Sequence, residues 1–336
     1  RRNPEPQRML AALERIAARL PTQTRRSEAG QALQQFSTPL GLAYVAATAA
    51  MIEPADVVLE PSAGTGMLAV HAERMRANLV LNELGEIRAE LLTRIMDAPV
   101  SRHDAASIDD RLPAGHRPTV VLMNPPFSAI AHVDRAMKDA ALRHIASALA
   151  RLEPGGRLVA ITAATCRPEN EIWRAAFEAL QRTGRIVFTA AIDGRIYRKH
   201  GTTIETRLTV IDKVPADDPA QFVPSAGIAL DSATLLQWVE RLVPPRAPIA
   251  PMPPAKLAGS PSMPNARPRH VVAPSGTAIA VEAEELAYQT VDWAPASEQL
   301  GDTIYEAYGL QSLLIPGAQP HPTPLVQSAS MASVAP

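Results

Sequence analysis

Short apolar runs alternate with longer amphipathic stretches through the first 214 residues. Six runs read as strands: DVVLE (56–60), NLVLNE (78–83), VVLMN (120–124), GRLVAIT (156–162), GRIVFTAAI (184–192) and TRLTVIDKV (206–214). Apolar residues at helical spacing between them predict helices at about 85–96, 133–152 and 169–182. Ahead of the first strand, residues 5–20 form an amphipathic pattern. Leu10, Leu13, Ile16, Ala17 and Leu20 share one face, and Arg8, Arg15 and Arg19 decorate the rest. A second helix is expected after Pro21, with Thr38 as its N-cap and Pro39 at its first position. Strand–helix alternation of this length predicts an α/β fold: a mostly parallel, doubly wound sheet with helices on both faces. The last two strands are expected to pair antiparallel.

The pattern changes after residue 214. Of the 32 prolines, 13 lie in residues 1–214 and 19 in the remaining 122. The stretch VPPRAPIAPMPPAKLAGSPSMPNARPR (243–269) cannot form a helix or a central strand, because proline fixes φ and lacks the N–H donor. It reads as an extended linker or strap. DSATLLQWVERL (231–242) predicts one helix, packed back on the sheet through Leu235, Trp238, Val239 and Leu242. Four segments follow: an N-terminal helical segment (1–30), an α/β domain (31–214), a proline-rich region (215–300) and a C-terminal piece (301–336).

Composition narrows the class. A hydrophobic content of 46% supports a globular core, and a net charge of -1 argues neither for nor against nucleic acid. The single cysteine, Cys166, excludes a disulfide framework and fits a reducing cytoplasm. No apolar run reaches the length of a membrane span, so no membrane is expected as partner. The eight histidines show no ligand spacing, so no metal is expected. The chain opens on Arg1, which reads as a piece of a longer protein.

In a doubly wound sheet ligands bind outside the carboxyl ends of the strands, and four such ends carry suggestive residues. LEPSAGTGML (59–68) closes a strand at Glu60 and turns through Gly64 and Gly66, either as a tight strand-to-helix turn or to let backbone approach a ligand. It contains no phosphate-loop lysine pattern, and its spacing is not that of the dinucleotide fingerprint. Glu83 ends the next strand, as a solvated carboxylate or as an acceptor for two ribose hydroxyls. Asp104 in SRHDAASI is a loop aspartate or a partner for an adenine amino group. The fourth end is Asn124-Pro125-Pro126-Phe127. Two prolines force a rigid, extended loop, which leaves the Asn124 side-chain oxygen and the Pro125 carbonyl as two acceptors with little freedom. Either the stretch ends the strand and buries Phe127 in the core, or an amino group donating to both acceptors would lose conjugation with its ring while Phe127 offers a face for a base to stack on.

Together these stretches resemble the class I S-adenosylmethionine-dependent methyltransferases with a Rossmann-like fold, and among them the enzymes that methylate adenine N6 in DNA. QQFSTPLGLA (34–43), the glycine loop and Asn-Pro-Pro-Phe occur in the order of the gamma-type members. The resemblance covers about residues 30–214 and implies a seven-stranded sheet closed by an antiparallel hairpin. It implies that Phe36, Thr38 and Pro39 border the methionine part of S-adenosylmethionine. Glu60, Pro61, Ala63, Gly64 and Gly66 would line the cofactor loop, Glu83 would hold the ribose and Asp104 the adenine. Asn124, Pro125, Pro126 and Phe127 would form the catalytic loop. From IYRKHGTTIET (196–206), Tyr197 or His200 would sandwich the flipped base, with Lys199 beside them.

Family members usually carry a separate target-recognition domain, and only the proline-rich residues 215–336 are available for one. Residues 305–336, with HPTPLVQSASMASV, resemble the entry to the helicase part of bacterial proteins similar to strawberry notch, in which a methyltransferase precedes a superfamily 2 helicase. Such fusions are associated with mobile DNA. The implied partners are DNA, made single-stranded by the helicase region of the same polypeptide, in a bacterial cytoplasm. Phosphate contacts would come from the seven arginines in residues 1–26 and from a cluster of Arg185, Arg195, Arg198, Lys199, Arg207 and Lys213. Two rival readings stand beside this one. The same asparagine-proline loop serves glutamine and RNA-base methyltransferases, although the glutamine enzymes usually carry tyrosine where this chain has Phe127. The domain could also be an inactive docking module in front of a motor.

Overall fold

The computed structural model describes residues 5–22, 37–96, 98–125, 140–247 and 249. Their centre is one eight-stranded sheet in the order β3-β2-β1-β4-β5-β7-β6-β8. The strands are β1 (Val57–Glu60), β2 (Asn78–Asn82), β3 (Val100–Ser101), β4 (Val120–Met123), β5 (Arg157–Ala163), β6 (Arg185–Ile192), β7 (Thr206–Asp212) and β8 (Ile228–Ala229). β1 through β5 run parallel, while β7 inserts antiparallel between β5 and β6. The order reverses between β1 and β4, which opens a crevice at their carboxyl ends. The expected mostly parallel sheet with an antiparallel hairpin is present, with eight strands in place of seven. The added strand β8 pairs with β6 through two residues, too short a run to stand out in the sequence.

The helices are α1 (Pro6–Arg19), α2 (Leu40–Ala50), α3 (Ala69–Arg74), α4 (Glu86–Ile95), α5 (Ile108–Arg111), α6 (Ala140–Arg151), α7 (Glu171–Gln181) and α8 (Ser232–Leu242). Two 3₁₀ segments, Ala105–Ser107 and Gly194–His200, complete the list for the described residues. β4 shows how the sheet sorts its side chains. Val120 and Leu122 pack on one face with α2 and α8, and Val121 and Met123 on the other with α6 and α7. All four are buried because helices cover both faces, which is why the strand reads as a continuous apolar run. Helix α2 is apolar all round since it lies between the sheet, α1 and α8. Helix α8 buries Leu235, Leu236 and Val239; Leu242, expected inside, is 45% exposed.

Helix α2 begins at Leu40, not at Pro39. Pro39 takes the N-cap place with an extended ψ of 138°, and it makes no side-chain cap hydrogen bond. The Thr38 hydroxyl serves another partner, described below.

Buried ion pairs close the amino-terminal edge of the sheet. Arg157, at the start of β5, is fully buried and forms a bidentate pair with Asp212 at 2.7 and 3.0 Å. The same guanidinium donates to the Ala49 carbonyl at the end of α2 and to Pro244 beyond α8. Arg246 clamps both oxygens of Asp56 at 2.8 Å, and Thr119 donates to Asp56 at 2.7 Å. The chain leaving α8 is thereby pinned under β1 and β5.

Removing one partner of such a pair leaves an uncompensated buried charge. Asp212→Asn is expected to lower stability in urea by about 3 kcal/mol. Combining it with Arg157→Met should recover a large part of that loss; a double variant no more stable than the single one would contradict the assignment.

Candidate active site

The carboxyl ends of β1, β2 and β4 converge on the crevice. At the end of β1 the chain turns through Gly64 (φ 57°) and Gly66 (φ 82°), both in the left-handed region. A Cβ at Gly66 would lie 2.6 Å from Met96 Cε and 2.9 Å from Leu92 Cδ1. This glycine therefore seats the loop against the α4 region, a packing role the sequence reading did not give it. The loop is also held from β2. Glu83 accepts from Gly64 N and from Gly85 N, each at 2.8 Å, so one carboxylate joins the turns after β1 and β2.

Asn82 stands in a predicted strand, yet it organises this edge. It is fully buried and uses all of its hydrogen-bonding groups. Nδ2 donates to the carbonyls of Pro61 (2.9 Å) and His103 (2.8 Å), and Oδ1 accepts from Ser101 Oγ (2.9 Å) and His103 N (2.8 Å). The available signal was a carboxamide inside an apolar strand, next to an acid. Asp104, one residue beyond, is exposed and caps the first 3₁₀ segment by accepting from Ala106 N at 2.9 Å.

Two polar atoms near these strand ends are buried without a hydrogen-bond partner: Glu60 Oε2 and Asn124 Oδ1. Burial pushes the Glu60 carboxyl well above the ordinary carboxylate range. A hydrogen bond from the Ala69 amide opposes this, and the nearby Glu83 charge adds to it. Asn124, just past β4, donates from Nδ2 to Thr38 Oγ1 at 2.9 Å, and this turns the other end of its amide toward an acceptor-only position. Pro125 is buried beside it. Of the site residues read from the sequence, Phe36, Pro126 and Phe127 lie outside the described residues.

The 3₁₀ segment after β6 meets the site from the other side. Tyr197 is fully buried, with its hydroxyl near the Asn124 side chain. It supports the loop and offers no open face for stacking. The ring of His200 lies 6.3 Å from that of Tyr197, in an edge arrangement, and burial followed by the Lys199 charge lowers its pKa. Lys199 donates to the Ala17 and Ala18 carbonyls, both at 2.9 Å, and so caps the end of α1. A cavity of about 750 Å3 runs past Ser37, Thr38, Thr65, Met67 and His200 to the inner face of α1.

The basic cluster expected on the hairpin does not form one patch. Arg185 and Lys213 lie at the amino-terminal edge, where Arg185 pairs with Asp217 and Lys213 donates to Leu149 O. Arg207 is buried against Thr189 and Ser225. Arg195 is paired with Asp193 at 2.9 Å. Among the described residues, no group of three or more His, Cys, Asp or Glu could hold a metal ion, and no helix is long and apolar enough to cross a membrane.

No family model matches the chain, and no curated protein matches it. Several solved structures are similar to part of it. The M protein of the type I restriction enzyme EcoKI is 17% identical with a TM-score of 0.46, over 56% of this chain and 46% of that one. The methyltransferase subunit of a type I restriction-modification system from Streptococcus thermophilus is 15% identical with a TM-score of 0.47, over 62% and 53%. TrmN from Thermus thermophilus is 20% identical with a TM-score of 0.40, over 56% and 52%. The matched region spans about half the length of each. At these identities and scores none of them assigns a function to this chain.

The Glu60 carboxyl gives a pH-dependent test. Its folded pKa lies above the value of 4.5 that it has when exposed. Its contribution to stability is therefore complete below about pH 4.5 and is lost as pH rises toward the folded pKa. Each pH unit in that window removes about 1.4 kcal/mol. Glu60→Gln keeps the shape and cannot ionise. Its stability advantage over the native chain, read by urea unfolding at several pH values, should widen steadily above pH 4.5. Parallel curves for the two proteins would show that Glu60 ionises freely in the fold.

Proposed function

We propose that this chain transfers a methyl group from S-adenosylmethionine to the N6 amino group of adenine in DNA. The observation that carries the reading is the Asn124 amide, whose oxygen is a buried acceptor with no partner at the carboxyl end of β4. An unpaired buried acceptor is costly, and a donor that arrives with the substrate removes that cost. An exocyclic amine is such a donor.

The residues present fit the cofactor. Glu60 retains an unpartnered carboxyl oxygen and suits the amino end of the methionine part. Glu83 suits the ribose hydroxyls, and the turn through Gly64 supplies backbone without side-chain bulk. When bound, S-adenosylmethionine supplies a methyl group activated by a positively charged sulfur. The chain supplies position and electrostatics. Asn124 Oδ1 and the Pro125 carbonyl accept the two N–H bonds of the target amine. Held in this way, the nitrogen is drawn out of conjugation with its ring and directs its lone pair toward the methyl donor. Its surplus proton leaves after transfer, so no strong base is required. Phe127 stacks on the target base, and the cavity between the 3₁₀ segment and α1 receives a base that is flipped out or already single-stranded. A helicase region joined to the same polypeptide would provide those single strands.

The test is transfer of labelled methyl from S-adenosylmethionine to single- and double-stranded DNA, with RNA and a release-factor protein in parallel. Label is expected in DNA as N6-methyladenine, and Asn124→Ala should slow it by about 10²-fold or more. Label confined to RNA or protein, or an Asn124→Ala protein of native rate, would overturn the reading.

A further inference from the structure

The Asn124 amide meets two residues far away in sequence. Thr38, in the approach to α2, lies 86 positions before it and accepts from Nδ2 at 2.9 Å. Tyr197, between β6 and β7, is fully buried with its hydroxyl near the same side chain. Thr38 is 6% exposed, so its bond with Asn124 is shielded from bulk water. The resemblance places Thr38 beside the methionine part of the cofactor. The structure gives its hydroxyl a different partner.

We propose that Thr38 is a positioning residue, which holds the plane of the Asn124 amide so that Oδ1, not Nδ2, faces the target amine, with the buried Tyr197 as a second support. This rests on the reading that Asn124 binds an amino group. The terminal torsion of asparagine is broad and nearly two-fold, so an unanchored amide presents its oxygen and its nitrogen to the same point in turn. Only the oxygen can accept from an amine. The Thr38 hydroxyl accepts the Nδ2 proton and ties down that end. The flipped amide would bring two N–H donors to the position where one oxygen now stands unpartnered, a poorer arrangement for the resting protein and an unproductive one for the substrate. The restraint acts on geometry at the acceptor, so its loss should appear in the rate and leave cofactor binding alone.

The experiment compares Thr38→Val, which keeps the shape and removes the acceptor, with Thr38→Ser, which restores it, and with Tyr197→Phe. Three quantities are read on the full chain. The first is the single-turnover methyl-transfer rate to a single-stranded adenine oligonucleotide at saturating S-adenosylmethionine. The second is the calorimetric affinity for S-adenosylmethionine. The third is hydrogen exchange of the Asn124 side-chain amide by nitrogen-15 NMR, with its signals assigned by their loss in Asn124→Ala. Thr38→Val is expected to slow transfer about 10- to 100-fold, the range for a small misplacement of a reacting group. Thr38→Ser should return to within about threefold of the native rate, and both should keep the native cofactor affinity. One Asn124 N–H should be protected in the native and Ser proteins and unprotected in the Val protein. Tyr197→Phe should slow transfer less than Thr38→Val. A Thr38→Val protein with weakened cofactor affinity and a native rate at saturation would show that Thr38 serves the cofactor and overturn the proposal. An unchanged amide signal in Thr38→Val would also overturn it. Should Thr38→Val not fold, Thr38→Ala gives the same readings. If the native chain methylates no nucleic acid, the methyltransferase reading fails separately, and the amide signal still decides whether Thr38 holds Asn124.

Discussion

Everything at the carboxyl edge of the sheet depends on one fully satisfied buried carboxamide, that of Asn82. A strand ends there in a place closed to water, and the loops after β1 and β3 must both pass over it. Their backbone groups cannot all find partners in a sheet ladder that has run out. Asn82 supplies two donors and an acceptor in one rigid plane and takes up groups from both loops. Leaving any of those groups unpaired would cost about 1–3 kcal/mol. Glu83 continues the same task one residue later by joining the Gly64 and Gly85 turns. With these loops fixed, the crevice at the switch point between β1 and β4 has defined walls.

The two edges of the sheet carry different groups. At the amino-terminal edge Arg157 with Asp212, and Arg246 with Asp56, reach across the fold and tie the end of α8 to the sheet. At the carboxyl edge Glu60 Oε2 and Asn124 Oδ1 are buried without partners. A protein retains such groups where they are compensated by a ligand or a reaction. β6, eight residues long and paired antiparallel with β7, carries the chain from the first edge to the 3₁₀ segment at the second.

Much of the candidate site was legible because its residues sit beside one another in sequence. Glu60 with Gly64 and Gly66, and Asn124 with Pro125, are local features of strand ends, and local chemistry shows in a linear reading. What escaped was contact between distant segments. Lys199 looked like a substrate cation and instead caps α1 through Ala17 and Ala18. Tyr197 looked like a stacking ring and is fully buried, with its hydroxyl near Asn124. The six cations of the hairpin looked like one patch. The hairpin reverses direction, so Arg185 and Lys213 return to the edge opposite Arg195 and Arg198.

The sequence by itself determined the alternation of elements, the two-sided burial of strands such as β4 and the places where chemistry could sit, because hydrophobic period and turn residues act over a few positions. It did not determine β8, whose two residues are held only by pairing with β6, or the start of α2, where Thr38 gives up a cap to meet Asn124. Those outcomes belong to the tertiary structure. A buried hydroxyl or amide takes the partner that folding brings within about 3 Å, and for Thr38 that partner lies 86 residues further along the chain.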